Sequence, residues 1–322
     1  MTELKKNYFF NEEVNIHLEN IIKNKSFANG YIFYGAEGIG KKLAALKFIK
    51  EIFSQYSSNS NIESRITNKN HPDLLIIEPK AAILEAKSSK ISDPEKTKKS
   101  STEIIKINQI RNIKTFLSQK SIDSEKKIIL IIDAHLLNEA ASNCLLKILE
   151  EPNNGIFILL TTKLNLLLDT VISRCQIIRF RSLSANQIEG IINDNLDFTK
   201  KEIFKKLKFQ DLINCANGSP GQLYKNVEIW NEFSDKIFIK LDSILKNNLE
   251  IFGISKVIAE QFDMNQQIHL INLIQIMWWR KTKNISLVKN LEVLKSRIKK
   301  NIQPRLSWEV TFLKIYLEDM RI

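Results

Sequence analysis

The sequence predicts an α/β nucleotide-fold domain, with a parallel sheet covered by helices on both faces, followed by an all-helical region. Three observations lead to this fold class. Short apolar, β-branched runs occur in the first 180 residues, amphipathic helical patterns lie between several of them, and the strand signals stop at about residue 183. Strands that are apolar throughout and alternate with helices are typical of a parallel sheet buried on both faces.

The strand signals are short and bounded by glycine, proline or charged residues. In chain order they read GYIFYG (30–35), DLLIIEP (73–79), KIILIIDA (127–134), GIFILLTT (155–162) and CQIIRF (175–180). Each has the length and β-branched composition of a buried strand. These runs define the sheet of a first domain at residues 1–180.

The helical patterns of this domain show apolar residues at three- and four-residue spacing, which places them on one face of a helix. The three clearest sets are Ala45, Leu46, Ile49, Ile52 and Phe53; Ile107, Ile110, Ile113 and Phe116; and Ala141, Cys144, Leu145, Ile148 and Leu149. Two polar stretches, 56–70 and 80–103, lack such periodicity. We expect most of both stretches to be mobile surface insertions that are dispensable for folding.

From about residue 183 only helical signals remain. SLSANQIEGIINDN opens with residues typical of a helix start, and the turn cluster NGSPG (217–221) closes a small helical unit. Amphipathic runs follow at 227–246, at 267–281 and after Pro304. We therefore predict a small helical domain at 181–224 and a larger helical domain at 225–322.

Composition narrows the class of protein. The 322 residues are 43% hydrophobic, which is ordinary for a chain with a packed core. We see no signal-peptide pattern and no apolar run long enough to span a bilayer, so we expect a cytoplasmic protein without a membrane partner. Three separated cysteines without a C-x-x-C pair indicate neither disulfides nor a zinc site. The net charge of +12 favours a polyanionic partner or reflects solvated lysines, and charge alone leaves both readings open.

The glycine-rich stretch YIFYGAEGIGKK (31–42) resembles a phosphate-binding loop. Gly35, Gly40 and Lys41 fit the pattern G-x4-G-K-[ST], with Gly38 between them, but Lys42 replaces the hydroxyl residue that holds Mg²⁺. Such a loop between a strand and a helix directs backbone N–H groups at a phosphate, although it also serves as a packing turn. We therefore predict the loop geometry with a weak or empty nucleotide site.

A second element, IILIIDAH, places Asp133 at the end of a buried strand, as a Walker B aspartate requires. The next residue in hydrolytic relatives of this architecture is a carboxylate that polarises water, and here it is Ala134. His135 is a poor substitute, because it lies one residue further on and is expected to point elsewhere. The metal ligand and the water activator are thus both missing.

The stretch from 133 to 175 resembles the clamp-loader branch of the AAA+ ATPases. Three motifs follow one another in the order of that family: KILEEP (147–152), Thr161 and Thr162 at the sensor-1 position, and S-R-C at 173–175. HPDLLIIEP and IKINQIRNI, earlier in the chain, are also similar to it. The resemblance covers residues 8 to about 225 and implies an AAA+ domain, a helical lid at 181–224 and a helical collar at 225–322.

The resemblance also implies a site and partners. Gly35, Gly38, Gly40, Lys41, Lys42, Asp133 and Thr162 would form a degenerate nucleotide site. In the lid, GSPGQL places Gln222 where active members carry the sensor-2 arginine. Arg174 of the S-R-C motif would act as an arginine finger in trans. No cofactor is expected beyond weak ATP binding, and the four-cysteine zinc module of many relatives is missing from 54–70.

The implied role is a largely non-hydrolysing stator that assembles with gamma/tau motor subunits and a delta subunit. That complex would load the sliding clamp onto primer-template DNA during replication. Two alternatives stay open at this point. The first alternative is an ATP-hydrolysing gamma/tau-type subunit. The second is a basic nucleic-acid-binding scaffold, in which Arg174 is an ordinary surface ion-pair residue.

Overall fold

The computed structural model describes residues 11–56, 61–81, 103–194, 209–233, 237, 239–241 and 250–319. The chain divides into two compact units, residues 1–182 and residues 183–322. In these described ranges, no helix is both long enough and apolar enough to cross a bilayer.

The described part of the first unit contains the five strands that the sequence predicts and two further strands of two residues each. The strands are β1 (Gly30–Tyr34), β2 (Leu74–Ile77), β3 (Lys80–Ala81), β4 (Glu103–Ile104), β5 (Lys127–Ile131), β6 (Gly155–Thr161) and β7 (Gln176–Arg179). Five of them form one sheet in the order β2-β5-β6-β1-β7, and all neighbours are parallel. Every residue of β5 and β6 is buried, which explains why these strands are apolar without alternation. The predicted parallel sheet is confirmed.

Helices of the first unit cover both faces of this sheet. They are α1 (Glu12–Lys23), α2 (Lys41–Ser54), α3 (Ile62–Thr67), α4 (Ile107–Ser118), α5 (Glu139–Glu150) and α6 (Asp169–Ile172). Ile32 of β1 lies in one core cluster with the buried faces of α4 and α5. Tyr31 and Phe33, on the opposite face of the same strand, pack their rings near Phe48 of α2. Alternate side chains of β1 therefore serve two separate cores.

Part of the first polar stretch is ordered, which corrects the expectation for 56–70. Helix α3 lies within it and buries Ile62 and Ile66, which are four residues apart and so share one helix face. Arg65 of the same helix pairs with Asp123 at 2.6 Å. A single apolar pair in a six-residue helix is too short a pattern to detect as periodicity, but it is enough to anchor the helix. Residues 57–60 lie outside the described ranges.

The second polar stretch, 80–103, begins and ends in structure. Its two ends pair as the antiparallel strands β3 and β4, with Lys80 opposite Ile104. Residues 82–102 lie outside the described residues, so the expectation of a mobile insertion there stays a prediction.

The H-P-D motif serves the fold. The carboxylate of Asp73 is buried and accepts hydrogen bonds from the backbone N–H groups of Ile122, Asp123 and Ser124, at 2.7–3.2 Å. The ring of His71 stacks on Phe53 of α2, with 4.0 Å between ring centroids. Because the 121–126 turn leads into β5, Asp73 fixes that turn beside the start of β2. These residues stabilise the amino-terminal edge of the sheet.

The described part of the second unit is helical, as predicted. Its helices are α7 (Ala185–Asp194), α8 (Phe209–Ala216), α9 (Pro220–Asn231), α10 (Ile251–Gln261), α11 (Met264–Thr282), α12 (Ile285–Lys299) and α13 (Pro304–Asp319). The predicted run at 227–246 is not one helix, because α9 ends at Asn231 in a turn. The runs at 267–281 and after Pro304 form α11 and α13.

Helix α9 connects the regions that the sequence divides into lid and collar. The predicted boundary at 224/225 falls inside this helix. Asn226 Oδ1 lies 2.8 Å from His269 Nδ1 of α11, and Gln222 donates to the same oxygen at 2.9 Å. Trp230 Nε1 donates to the carbonyl oxygen of His269. The side chain at the expected sensor-2 position is therefore used inside the helical unit, and the lid–collar subdivision stays a prediction.

Candidate functional site

The glycine loop has the predicted strand–loop–helix arrangement. It follows β1, which ends at Tyr34, and leads into α2, which begins at Lys41. Gly38 and Gly40 have φ angles of 74° and 99°, a region that glycine adopts without steric cost. The backbone N–H of Gly35 donates to the carbonyl oxygen of Thr161 at 3.3 Å, which ties the loop to the end of β6.

Lys41 is turned into its own loop. Its Nζ donates to the carbonyl oxygens of Gly35 and Ala36, both at 2.7 Å. The side chain is buried, and this burial lowers the pKa of Lys41 to about 8, although nearby Asp133 and Glu37 act in the opposite direction. The ammonium that would meet a phosphate is thus held by two backbone carbonyls.

Lys42, at the position of the missing metal ligand, forms a salt bridge with Glu78, the residue that directly follows strand β2. Its Nζ lies 3.4 Å from Glu78 Oε1, and Lys69 Nζ lies 2.6 Å from Glu78 Oε2. The hydrogen bond from Lys69 is the main cause that lowers the pKa of Glu78. Sequence reasoning missed Glu78. Because Glu78 directly follows β2, it lies, like the loop, at the carboxyl ends of the parallel strands.

The end of β5 carries the Walker B position. Asp133 has a left-handed backbone, with φ 51°, and starts a short 3-10 turn at Ala134–Leu136. Ala134 is fully buried and supplies no carboxylate. Asp133 is close enough to Lys41 to interact with it electrostatically. The aspartate of the Walker B position is therefore present, but the carboxylate that would orient the attacking water is missing.

His135, the residue after Ala134, lies against the end of the adjacent strand β6. Its Nδ1 lies 3.4 Å from the hydroxyl of Thr161, the buried residue that ends β6. Burial lowers the pKa of His135; nearby Asp133 acts in the opposite direction, and Lys163 and Lys41 add to the lowering. The Thr161 hydroxyl also accepts a hydrogen bond from the backbone N–H of Lys163, while Thr162 is the first residue after the strand. The 3-10 turn after Asp133 rotates the ring towards the sensor-1 strand, and a turn of this kind is not evident from the sequence.

Arg174 lies at the amino ends of the parallel strands, whereas the loop lies at their carboxyl ends. Arg174 immediately precedes Cys175 and strand β7, which runs parallel to β1 with Tyr31 opposite Gln176. The loop follows the carboxyl end of β1, whereas Arg174 precedes the amino end of β7. A strand of this length separates the two by about 13 Å or more, at about 3.3 Å per residue.

The guanidinium of Arg174 is held by two neighbours and stays partly exposed. Nη1 donates to the carbonyl oxygen of Thr170 at 3.0 Å, and Nη2 to Glu150 Oε1 at 2.9 Å. Glu150 is the first glutamate of the KILEEP motif, a partner that sequence reasoning missed. The next residue, Cys175, is more enclosed, and burial raises the pKa of its thiol to about 11. Cys175 is therefore a packing residue without a reactive thiolate.

Fold and loop together define an AAA+ nucleotide fold in which the phosphate loop is degenerate. The profile of the family described as "DNA polymerase III, delta subunit" matches residues 10–184. The chain belongs to this family. A second profile, "Cyanobacterial DNA polymerase III delta prime, C-terminal domain", matches residues 188–315.

Individual relatives agree with this family. The delta' subunit of DNA polymerase III from Bacillus subtilis is 34% identical over 178 residues, which cover 53% of this chain and 48% of that protein. The delta' subunit of Pseudomonas aeruginosa is 28% identical over 155 residues, which cover 46% and 42%. The tau subunit of B. subtilis is 29% identical over 241 residues, which cover 73% and 39%. These matches thus span less than half of each relative's length.

A solved structure supports the fold. The DNA polymerase III gamma-subunit-related protein of Thermotoga maritima superimposes with a TM-score of 0.53 at 16% identity, over 94% of this chain and 99% of that one. The predicted AAA+ fold class and clamp-loader family are confirmed, and the second matching profile and two of these relatives are described as delta-prime subunits.

Proposed function

We propose that this chain is the stator of a bacterial clamp loader, which turns over no ATP itself and offers Arg174 to ATP bound by a neighbouring motor subunit. The observation that carries the proposal is the placement of the two cationic sites. Lys41 is buried and its ammonium is held by the carbonyl oxygens of Gly35 and Ala36, whereas Lys42 forms an exposed ion pair with Glu78 and supplies no hydroxyl for a metal. The side chain of Arg174 is 38% exposed and lies at the amino ends of the strands, away from the loop.

The chemistry of an arginine finger suits this placement. A planar, permanently charged guanidinium bridges phosphate oxygens and offsets charge that develops on the transferred phosphoryl group. Arg174 cannot serve its own loop because the strand length separates them, so the phosphate it meets must belong to another subunit. The partners we propose are gamma/tau motor subunits and a delta subunit, which together load the sliding clamp onto primer-template DNA in the cytoplasm. We propose no metal or tightly bound nucleotide for the chain itself.

The test is steady-state ATPase and clamp loading by the reconstituted complex with clamp and primed DNA. Arginine fingers contribute about 10³ to 10⁵ in turnover in other phosphoryl-transfer systems, and a loader with several sites should lose less, because one interface is changed. Arg174→Ala should assemble normally and lower both activities, and Arg174→Lys should rescue poorly, since a point charge lacks the fork. Arg181→Ala is the matched control, because Arg181 is also an exposed arginine paired with a glutamate, Glu13.

Three outcomes would count against the proposal. An Arg174→Ala complex that loads clamps at the unaltered rate would leave the chain as a scaffold only. ATP turnover by the isolated chain, lost on changing Lys41, would instead make it a gamma/tau-type motor. Salt-dependent DNA binding by the isolated chain would support the basic-scaffold alternative, whereas DNA affinity that arises only in the complex supports the loader.

A further inference from the structure

The surface around Arg174 contains an acidic residue whose role the arginine-finger proposal does not explain. Glu150 Oε1 accepts a hydrogen bond from Nη2 at 2.9 Å, while Thr170, one helical turn before the arginine, accepts from Nη1. The tip of the side chain is thus fixed from two elements, the end of α5 and helix α6. Glu150 is itself 48% exposed.

Glu150 is a firm anchor because it ends a helix that is packed against the sheet. Ile148 and Leu149, directly before it, are 3% exposed and belong to the core cluster that contains β5 and β6. The backbone position of Glu150 is therefore determined by the core, whereas Arg174 lies on a short connection between α6 and β7. An arginine on such a connection samples many rotamers unless a partner restricts it.

We infer that Glu150 is a positioning residue that holds the Arg174 fork ready for a phosphate of the neighbouring subunit. This inference rests on the proposed function. The fork has N–H donors beyond the two already used, so a phosphate can bind while the carboxylate contact persists. An exposed ion pair costs little desolvation and does not compete strongly with a phosphate, which carries more negative charge. The contact therefore orders the arginine without neutralising it.

A different role for Glu150 would be to sequester Arg174 until the complex forms. The two roles predict opposite changes. Removing a positioning carboxylate lowers turnover, whereas removing a sequestering one raises it. Glu150→Gln separates them further, because the amide keeps a hydrogen-bond acceptor at Oε1 but loses the charge. Positioning requires Gln to restore most of the activity, and sequestration requires Gln to behave as Ala.

The experiment is ATP turnover by the reconstituted complex, with kcat and KM measured separately. Because exposed ion pairs are weak, Glu150→Ala should lower kcat about two- to fivefold and leave the KM for ATP unchanged. Glu150→Gln should keep most of the wild-type kcat. Glu151→Ala, a change of the adjacent exposed glutamate of the same motif, should match wild type. In an Arg174→Ala background, Glu150→Ala should have no further effect.

A second readout follows Arg174 in the isolated chain. Mass-spectrometric mapping of phenylglyoxal adducts should show faster modification of Arg174 in Glu150→Ala and an unchanged rate in Glu151→Ala. An unchanged rate in Glu150→Ala overturns the inference, as does a raised kcat in the complex. If Arg174→Ala lowers turnover but Glu150→Ala does not, the inference fails and the proposed function stands. If Arg174→Ala itself has no effect, the proposed function fails and the inference fails with it.

Discussion

The glycine loop and the surface around Arg174 both carry cationic side chains, but these side chains lie in different environments. At the loop, Lys41, the lysine of the loop pattern, is buried and held by two backbone carbonyl oxygens, and Lys42 forms only an exposed ion pair with Glu78 where the pattern requires a hydroxyl. At the amino ends of the strands, Arg174 forms an ion pair with Glu150, and part of its side chain stays exposed. A buried cation held by its own loop is lost to a ligand, whereas an exposed and ordered cation remains available to one. Under the proposed function, this nucleotide fold has lost its own site and has kept the residue that serves a neighbouring subunit.

The largest expected effect separates the two regions by turnover. Lys42→Thr restores a hydroxyl at the metal position but leaves Ala134 without a carboxylate, so the isolated chain should still not hydrolyse ATP. The complex that contains Lys42→Thr should keep its turnover, in contrast to the Arg174→Ala complex. Both complexes should be assayed with clamp and primed DNA. A gain of ATPase by isolated Lys42→Thr, or a loss in its complex as large as that of Arg174→Ala, would remove the distinction between the regions.

The second prediction asks what the glycines of the loop are for. A Cβ at Gly35 would lie 2.6 Å from the backbone oxygen of Phe180, just after β7, whereas a Cβ at Gly40 would meet nothing within 4 Å. Gly35→Ala should therefore destabilise by about 2–3 kcal/mol through overpacking against backbone. Gly40→Ala should lose only about 1 kcal/mol, from its left-handed conformation. Urea unfolding of the isolated variants measures both, and equal losses would contradict a packing role for Gly35.

The third prediction concerns the buried ammonium. Because the folded-state pKa of Lys41, about 8, lies below its ordinary value of 10.5, the unfolded state binds more protons between these limits. The contribution to stability is therefore complete above 10.5 and lost as the pH falls through about 8. The free energy of unfolding of wild type, relative to Lys41→Met, should rise by about 2 kcal/mol between about pH 7.5 and about pH 9.5. A flat or falling difference would show that Lys41 is not buried as a charged group.

The smallest expected effect is that of ATP on the isolated chain. A ligand at about 100 times its dissociation constant stabilises a protein by about 2.7 kcal/mol. We expect no thermal shift of that size with millimolar ATP, with or without Mg²⁺, because Lys41 is already held by two carbonyl oxygens and Lys42 supplies no hydroxyl for the metal. A full shift that requires Mg²⁺ would mean that the loop still binds nucleotide in the ordinary way, and the contrast with Arg174 would then be one of hydrolysis alone.

Much of the fold follows from the sequence alone. The five parallel strands, the helices α2, α4 and α5 and the helical second unit come from local signals: apolar runs of strand length and three- and four-residue periodicity. The motifs GAEGIGKK, KILEEP and S-R-C likewise identify the family and the position of Arg174. Missing residue types are equally readable, since Lys42 and Ala134 cannot supply a hydroxyl or a carboxylate whatever the fold. Helix α3 was not predicted because its signal is a single pair of isoleucines.

The partners of the site residues were decided by tertiary structure. Lys42 and Glu78 are 36 positions apart, and Arg174 and Glu150 are 24 apart. His135 meets Thr161 across two adjacent strands, after a turn that begins at a left-handed Asp133. Periodicity describes which face of one element is buried, but it carries no information on which elements become neighbours. Those contacts depend on the strand order β2-β5-β6-β1-β7, which brings together charges that are distant in sequence.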